Sequence, residues 1–294
     1  MASLYAGDAG PASAYTQKVV PSSTTDSAAA IRFRTRRGPR GGAPIPSAQS
    51  VHEARRRARR TLVRLRALRP ALRRGSFHSL RKLLQGVLEI SAASRDAHVQ
   101  GQLVAQLMAR HRLAGAPHSA GLRRELALRG RAADQELGRF LRSARGVAQL
   151  QKLNASVAVL QEGPLSEDLP RLAARRYQRT LHKIRARLDK KLTANRQVHP
   201  LRVRVRQARD LATLFDAGHS AVAMRLRHRL NKLQQGLGDL HDAMLLKSWL
   251  RERGLTVDSQ FSVALRAWSK HCLRRCQRQR QPLRRVIRAY LHKS

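Results

Sequence analysis

The stretch VHEARRRARR at residues 51–60 recurs 147 residues further along the chain as VHPLRVRVRQ at residues 198–207. Each copy places one histidine ahead of arginines at fixed offsets. The first copy has His52, Arg55 and Arg59, and the second has His199, Arg202 and Arg206. A duplicated helix with this charge pattern predicts a duplicated binding surface, and hence a pseudo-symmetric domain built around a polyanion.

Both copies read as amphipathic helices. At 100° per residue, His199, Arg202 and Arg206 fall within about 60° of one another. The opposite side of the same helix carries apolar residues such as Leu201 and Val205. The first copy follows the same pattern, so we expect each helix to present a basic stripe backed by an apolar one.

The chain beyond residue 46 has helical periodicity almost throughout, which predicts an all-α fold. The pattern predicts two halves, about 47–163 and 168–294, separated by the Gly-Pro turn after Glu162. A capping-box pattern at Ser50 and Glu53 predicts that His52 lies in the first turn of its helix. Pro200 suits a first helical position, so we expect His199 at or near a helix cap. An anion is favoured at such helix N-termini.

Residues 1–46 have a different composition, rich in Ala, Ser, Thr, Gly and Pro, and end in the basic run RRGPRGG at 36–42. No apolar period is present in this segment. We therefore predict a disordered basic arm over residues 1–46 and a helical domain over residues 47–294.

The amino-acid composition limits the classes of function that the chain can have. The 294 residues include 60 Lys and Arg against 18 Asp and Glu, a formal net charge of +42, which opposes compaction unless anions neutralise it. Aromatic residues make up only 4%, which argues against a single-strand binder that works by stacking. Two cysteines, Cys272 and Cys276, fit a reducing compartment, and no apolar stretch of about 18 residues could cross a membrane. We expect a cytoplasmic protein.

Motifs of catalysis are absent from the sequence. It has no Gly-rich phosphate loop, nucleophile elbow or paired-carboxylate site. His241 and Asp242 are adjacent and would point apart on a helix, so they do not form a dyad. Cys272 and Cys276 have no second ligand pair nearby in sequence, as a closed zinc site requires. We therefore expect no catalytic residue, no metal site and no cofactor.

The two His-Arg runs resemble the CHAD family, the conserved-histidine α-helical domain. Its hallmark is a histidine, an arginine three residues later and further arginines, present in two copies. Residues Leu230–Asp242 also look like the family's Leu-Gly-x-x-Arg-Asp segment. One departure is that Leu62 stands in the first copy where the second has Arg209, so the halves are not expected to contribute equally.

The resemblance implies two helical bundles of antiparallel long helices, related by a pseudo-twofold axis around a central basic cavity. It also implies binding of inorganic polyphosphate without catalysis. A receptor for this ligand needs dense guanidinium and ammonium donors rather than stacking surfaces. The residues predicted to bind polyphosphate are His52, Arg55, Arg59, Arg60, Lys82, His199, Arg202, Arg206, Arg209 and Lys232. Asp96 and Asp242 are expected to hold arginines of the stripes in place.

Two main functional hypotheses remain open at this point, beside a third, an enzyme of polyphosphate or nucleotide metabolism, for which we expect no release of phosphate. The first is a non-catalytic polyphosphate-binding module, with recruitment to polyphosphate granules as a further expectation. The second is a nucleic-acid-binding protein, of the nucleoid or of RNA, that contacts the phosphate backbone through its charge and its basic arm. A recognisable reading helix or finger is absent from the sequence, which favours the first hypothesis.

Overall fold

Nine α-helices hold nearly all of the residues that the computed structural model describes. Those residues are 30–36, 44–111, 113, 117–162, 165–189, 195–215, 220–254 and 259–292. The helices are α1 Ala48–Ala67, α2 Arg74–Ile90, α3 Ala92–Arg110, α4 Pro117–Arg142, α5 Ala144–Glu162, α6 Leu165–Leu188, α7 Asn195–Leu211, α8 Ala221–Glu252 and α9 Ser259–Leu291. Two short strands, β1 Thr35–Arg36 and β2 Ile45–Pro46, precede them as an antiparallel pair. The all-α fold is confirmed.

The first turns of α1 and α7 correct the predicted position of the two histidines. The hydroxyl of Ser47, not that of Ser50, caps α1, accepting a 3.1 Å hydrogen bond from the backbone N–H of Ser50. Helix α7 begins at Asn195, ahead of Pro200. His52 and His199 are therefore each the fifth residue of their helix, in the second turn, beyond the free N–H groups that attract anions. The predictions that His52 lies in the first turn of its helix and that His199 lies at or near the cap are wrong.

Serines interrupt two of the long helical regions. Ser91 separates α2 from α3, and its buried hydroxyl donates to the carbonyl of Val87 at 2.5 Å. Ser143 separates α4 from α5, and its hydroxyl accepts from the N–H of Gly146 at 3.1 Å. These local hydrogen bonds compete with the regular helical ladder and allow each helix to change direction.

The apolar core does not divide at the boundary between the two halves. A large cluster combines side chains of α1, α2, α5, α6, α7, α8 and α9, including Leu65, Leu181, Leu201 and Ile287. A smaller cluster combines α3 and α4 with the end of α8 and the start of α9. Helix α8 contributes to both clusters, so the halves fold as one packed body. The twofold relationship between two bundles stays a prediction.

Residues 30–36 and 44–46 pack onto the helices, in contrast to the predicted arm. Ile31 is 1% exposed within the large core cluster, and its N–H donates to Asn154 Oδ1 at 2.9 Å. The guanidinium of Arg57 donates to the carbonyl of Ala30 at 2.8 Å. Apolar contacts and satisfied backbone groups order this piece, which is too short to show a period in the sequence. Residues 1–29 and 37–43 of the predicted arm lie outside the described residues.

No helix within the described ranges is long and apolar enough to cross a membrane.

Candidate functional site

The packing of α1 against α7 brings the two repeated stripes face to face. Helix α3 also contacts α1, and α8 contacts both α3 and α7. These contacts gather five arginines that interact with one another electrostatically. They are Arg55 and Arg59 of α1, Arg95 of α3, and Arg202 and Arg206 of α7. We call these five residues the central basic cluster.

The arginines of the cluster have lost much of their hydration without gaining an equal number of anions. Burial, reinforced by Arg206 and the other arginines, lowers the pKa of Arg59 to about 9. Burial likewise lowers the pKa of Arg55 and of Arg202 to about 10, although Asp96 acts in the opposite direction on both. All three stay protonated near neutral pH. Keeping these charges partly buried lowers the stability of the fold, and an anion bound from solution would offset that loss.

Arg55 and Arg202 occupy equivalent positions in the repeats but differ in their partners. The Nη1 of Arg55 donates to the carbonyl of Leu88 and, at 2.8 Å, to the hydroxyl of Ser91, so this side chain ties α1 to the α2–α3 junction. Arg202 is only 9% exposed and makes no described hydrogen bond, whereas the Nε atoms of both arginines are buried without a partner. Unsatisfied buried donors of this kind favour a ligand that accepts hydrogen bonds.

Two carboxylates lie beside the cluster and hold Arg95. Its Nη1 lies 2.9 Å from Asp96 Oδ1, and its Nη2 lies 3.3 Å from Asp242 Oδ1. Burial alone would lower the pKa of Arg95, but Asp242 and Asp96 outweigh it and the pKa is raised. The expectation that these acids hold arginines of the stripes therefore differs from the structure, in which both bind Arg95.

Histidines border the cluster. The rings of His199 and His241 lie 5.5 Å apart between centroids. Burial, with Arg202 and His199 adding to it, lowers the pKa of His241 to about 4. Burial followed by Arg56 and Arg59 also lowers the pKa of His52. His52 and Arg95 line a cleft of about 510 Å³ between α1 and α3. At neutral pH His52 and His241 are therefore uncharged next to a cationic surface.

The structure unites only part of the predicted site. Arg55, Arg59, Arg202 and Arg206 lie in the cluster, with His52 and His199 at its edge. Arg60 and Arg209 lie further along α1 and α7, exposed, where both interact with Asp210.

The two predicted lysines do not join the cluster. Lys82 is exposed on α2, a helix that contributes no arginine to the cluster. Lys232 is exposed on α8, nine residues before His241. That separation turns it by about 180° to the other side of the helix. The sequence position of a lysine does not by itself reveal which side of α8 enters the core.

Sequence reasoning missed Arg95, His241, Asp210 and Arg66 as members or neighbours of the site. Arg66 continues the row, because Arg206 interacts with it electrostatically. A usable signal existed for Arg95 and His241, since the Arg95–Asp96 pair after the first repeat matches the His241–Asp242 pair after the second. For Arg66 the sequence offered none, because arginines are frequent along all of α1.

Within the described parts of the chain, no group of three or more His, Cys, Asp or Glu side chains is placed to hold a metal ion. Cys272 and Cys276 are buried and unbridged, and burial raises the pKa of both thiols to about 12. The absence of a catalytic residue, a cofactor and a metal site stays a prediction.

Comparison with known proteins identifies relatives of the fold and of the sequence. A family model described as the CHAD domain matches residues 42–251. Among solved structures, PptA from Streptomyces chartreusis superposes with a TM-score of 0.57 at 20% sequence identity. The match covers 82% of this chain and 89% of PptA, and at this identity it is a likeness of fold. No curated protein matches the chain.

Proposed function

The chain belongs to the CHAD domain family, and on this premise we propose that it binds inorganic polyphosphate through the central basic cluster, without catalysing a reaction. The proposal rests mainly on the contact between the two repeats. Arg59 of the first copy and Arg206 of the second lie within electrostatic range of each other, inside the fold rather than on separate outer faces.

The energetic argument rests on desolvation. Forcing half-buried arginines together costs free energy in the empty protein, and a bound polyanion removes that cost while supplying acceptors for free donors such as Arg202 Nε. A flexible chain of phosphates can follow a row of guanidinium groups and pair with several at once. Polyphosphate offers no bases, and the cluster contains no Phe, Tyr or Trp ring on which bases could stack.

The repeats support an extended rather than a point-like site. Arg206 interacts with Arg66 on one side and with Arg95 on the other, so the row continues beyond the repeated residues. Arg60 and Arg209 would then contribute from the rim, where exposed pairs are individually worth about 0–1 kcal/mol. Lys82 and Lys232 are assigned no direct contact in this proposal.

The decisive experiment compares variants of equal charge. In calorimetric titrations with long-chain polyphosphate, R59A/R206A should bind at least tenfold more weakly than the parent protein. The control is R124A/R131A, which removes two exposed arginines of α4 and should change affinity less than twofold. The slope of log K against log salt should also decrease only for the cluster variant. Equal losses in both variants would reduce the interaction to non-specific charge and overturn the proposal.

Nucleic-acid binding is the alternative, favoured by the many exposed arginines outside the cluster, such as Arg123 and Arg124 of α4. A competition titration separates the two functions. If polyphosphate displaces labelled duplex DNA at a much lower phosphate concentration than unlabelled DNA does, the first proposal is supported. The reverse order favours nucleic acid.

Association with polyphosphate granules in the cytoplasm is the cellular counterpart of this proposal. Because the granules present long polyphosphate chains, a fluorescent fusion of the parent protein should colocalise with them. The R59A/R206A variant should remain diffuse at the same expression level.

A further inference from the structure

We propose a second binding site, a groove between α8 and α9 that accepts an acidic amphipathic segment of another protein. The groove has a volume of about 620 Å³. Arg225, His228 and Arg229 of α8 line one wall and Gln281 and Arg285 of α9 line the other, and we call the apolar lining residues Pro282 and Val286 of α9 its floor. We call it the α8–α9 groove. It goes beyond the polyphosphate proposal, and neither proposal depends on the other.

The groove is separate from the central basic cluster. Along α8, His241 lies 12 to 16 residues after the three groove residues, which corresponds to about 18–24 Å. Lys232 lies four residues after His228, on the same side of α8, and it is turned by about 180° from His241. A ligand in the groove therefore leaves the cluster free.

The groove continues along α9 into a second hollow of about 340 Å³. The two share Gln281 and Arg285, and the second adds Arg284, Arg288 and His292. Arg284 is held by Asp189, with 2.7 Å between Nε and Oδ1. From Gln281 to His292 the strip spans about 16 Å, the length of about three helical turns.

The positive charge of the strip favours an anionic ligand. No carboxylate is among the residues that line either described hollow, whereas arginines line both walls. Arg225, Arg285 and Arg288 are exposed and take part in no described ion pair. A partner with several carboxylates would supply the missing counter-charges, with charge-assisted hydrogen bonds to the guanidinium groups.

The apolar floor favours an acidic protein segment over other anionic ligands. Pro282 and Val286 lie in the lining. Polyphosphate has no apolar groups that could pack against them. A nucleic-acid strand would need rings to stack on, and the lining contains no Phe, Tyr or Trp. An acidic helix can place apolar anchors on the floor and carboxylates on the walls.

The test uses two fluorescent peptides of about 14 residues with the same number of glutamates. One carries leucines at i, i+3, i+4 and i+7, and in the other each leucine is replaced by serine. In anisotropy titrations with the full chain, the leucine peptide should bind at least tenfold more tightly than the serine peptide. R225A/R285A/R288A should abolish that preference, whereas the equally charged control R123A/R124A/R131A should keep it.

Two results would overturn the inference. One is equal binding of both peptides, which would show that only charge is sensed. The other is a competition result: polyphosphate displaces the leucine peptide from the parent protein but not from R59A/R206A. That result would mean that the peptide binds in the central basic cluster. The groove variant should bind polyphosphate within twofold of the parent, so a failure of the groove is distinguishable from a failure of the polyphosphate proposal.

Discussion

The side chains of Arg95 on α3 and Asp242 on α8 meet, with 3.3 Å between Nη2 and Oδ1. Arg95 follows the first repeat along the chain and Asp242 follows the second, so this ion pair joins the two halves next to the central basic cluster. Asp242 therefore places a negative charge beside arginines such as Arg202 that we expect to attract a polyanion.

Neutralising Asp242 should change ligand binding more than stability. In D242N, Arg95 and Arg202 lose a neighbouring anion, but burial raises the pKa of Asp242 itself, so the substitution also removes the cost of a buried negative charge. We therefore expect the free energy of unfolding to change by less than about 1 kcal/mol. Polyphosphate should bind more tightly, because a carboxylate that repels phosphate is gone. Thermal melts and calorimetric titrations measure the two effects. Weaker binding by D242N would mean that Arg95 needs Asp242 to hold it in a competent position.

Arg55 and Arg59, one helical turn apart, should behave oppositely when replaced by methionine, which keeps an apolar stem. R55M removes the hydrogen bonds to Leu88 and Ser91 and should cost about 1–3 kcal/mol of stability. R59M removes a charge whose pKa is lowered to about 9, so it should stabilise the empty protein by about 1 kcal/mol while weakening polyphosphate binding. Urea unfolding without ligand tests both. Destabilisation by both variants would contradict the account of Arg59.

Acidic pH should weaken the empty fold and strengthen polyphosphate binding. The pKa of His241 is about 4 in the folded protein against 6.5 in the unfolded chain, so the unfolded chain takes up a proton first as the pH falls. Stability present above pH 6.5 is therefore lost progressively towards pH 4. A bound polyanion favours the protonated ring beside Arg202 and His199, which reverses this effect.

The measurement for the pH effect is a set of melts and titrations at pH 7.5 and pH 5.5. Without ligand the melting temperature should fall at the lower pH, and the affinity for polyphosphate should rise. The control is the double variant H52A/H241A, whose affinity should change less between the two values. Proton uptake on binding, detected as a dependence of the binding enthalpy on the buffer, should also decrease in this variant.

Gly146 should be required at the junction of α4 and α5. A Cβ at this position would lie 1.9 Å from the carbonyl oxygen of Phe140, a backbone atom that cannot move aside independently. G146A should therefore reduce the free energy of unfolding by about 1–3 kcal/mol. G101A is the matched control, because a Cβ there meets nothing within 4 Å and alanine favours the helix. Similar melting temperatures for the two variants would contradict the tight junction.

The repeat made the main feature of the site predictable. Arginines at the same offsets, each backed by an apolar stripe, predicted that α1 and α7 turn equivalent faces inwards, and Arg59 and Arg206 do interact. The all-α fold followed from the same periodicity. The dual role of Arg55, anchored at Ser91, was not predictable, because the sequence pattern does not mark the end of α2 there.

Other features depend on packing that the sequence does not encode locally. The rotation of α8 is set by Leu230, Leu233 and Leu237 in the large core cluster, and this rotation leaves Lys232 exposed, away from the central basic cluster. The order of residues 30–36 depends on Ile31 and its contact with Asn154, 123 residues away. A local period cannot reveal a single side chain that docks into a distant core.

Ile31 and Ile287 define a folding unit that is wider than the segment matched by the family. Both are buried in the large core cluster, yet one precedes residue 42 and the other follows residue 251. A recombinant fragment cut at the family boundaries would open the hydrophobic interior at two places and leave the leucines of α8 without their α9 neighbours. Such a fragment should aggregate, and its failure to bind a ligand would say nothing about the arginines.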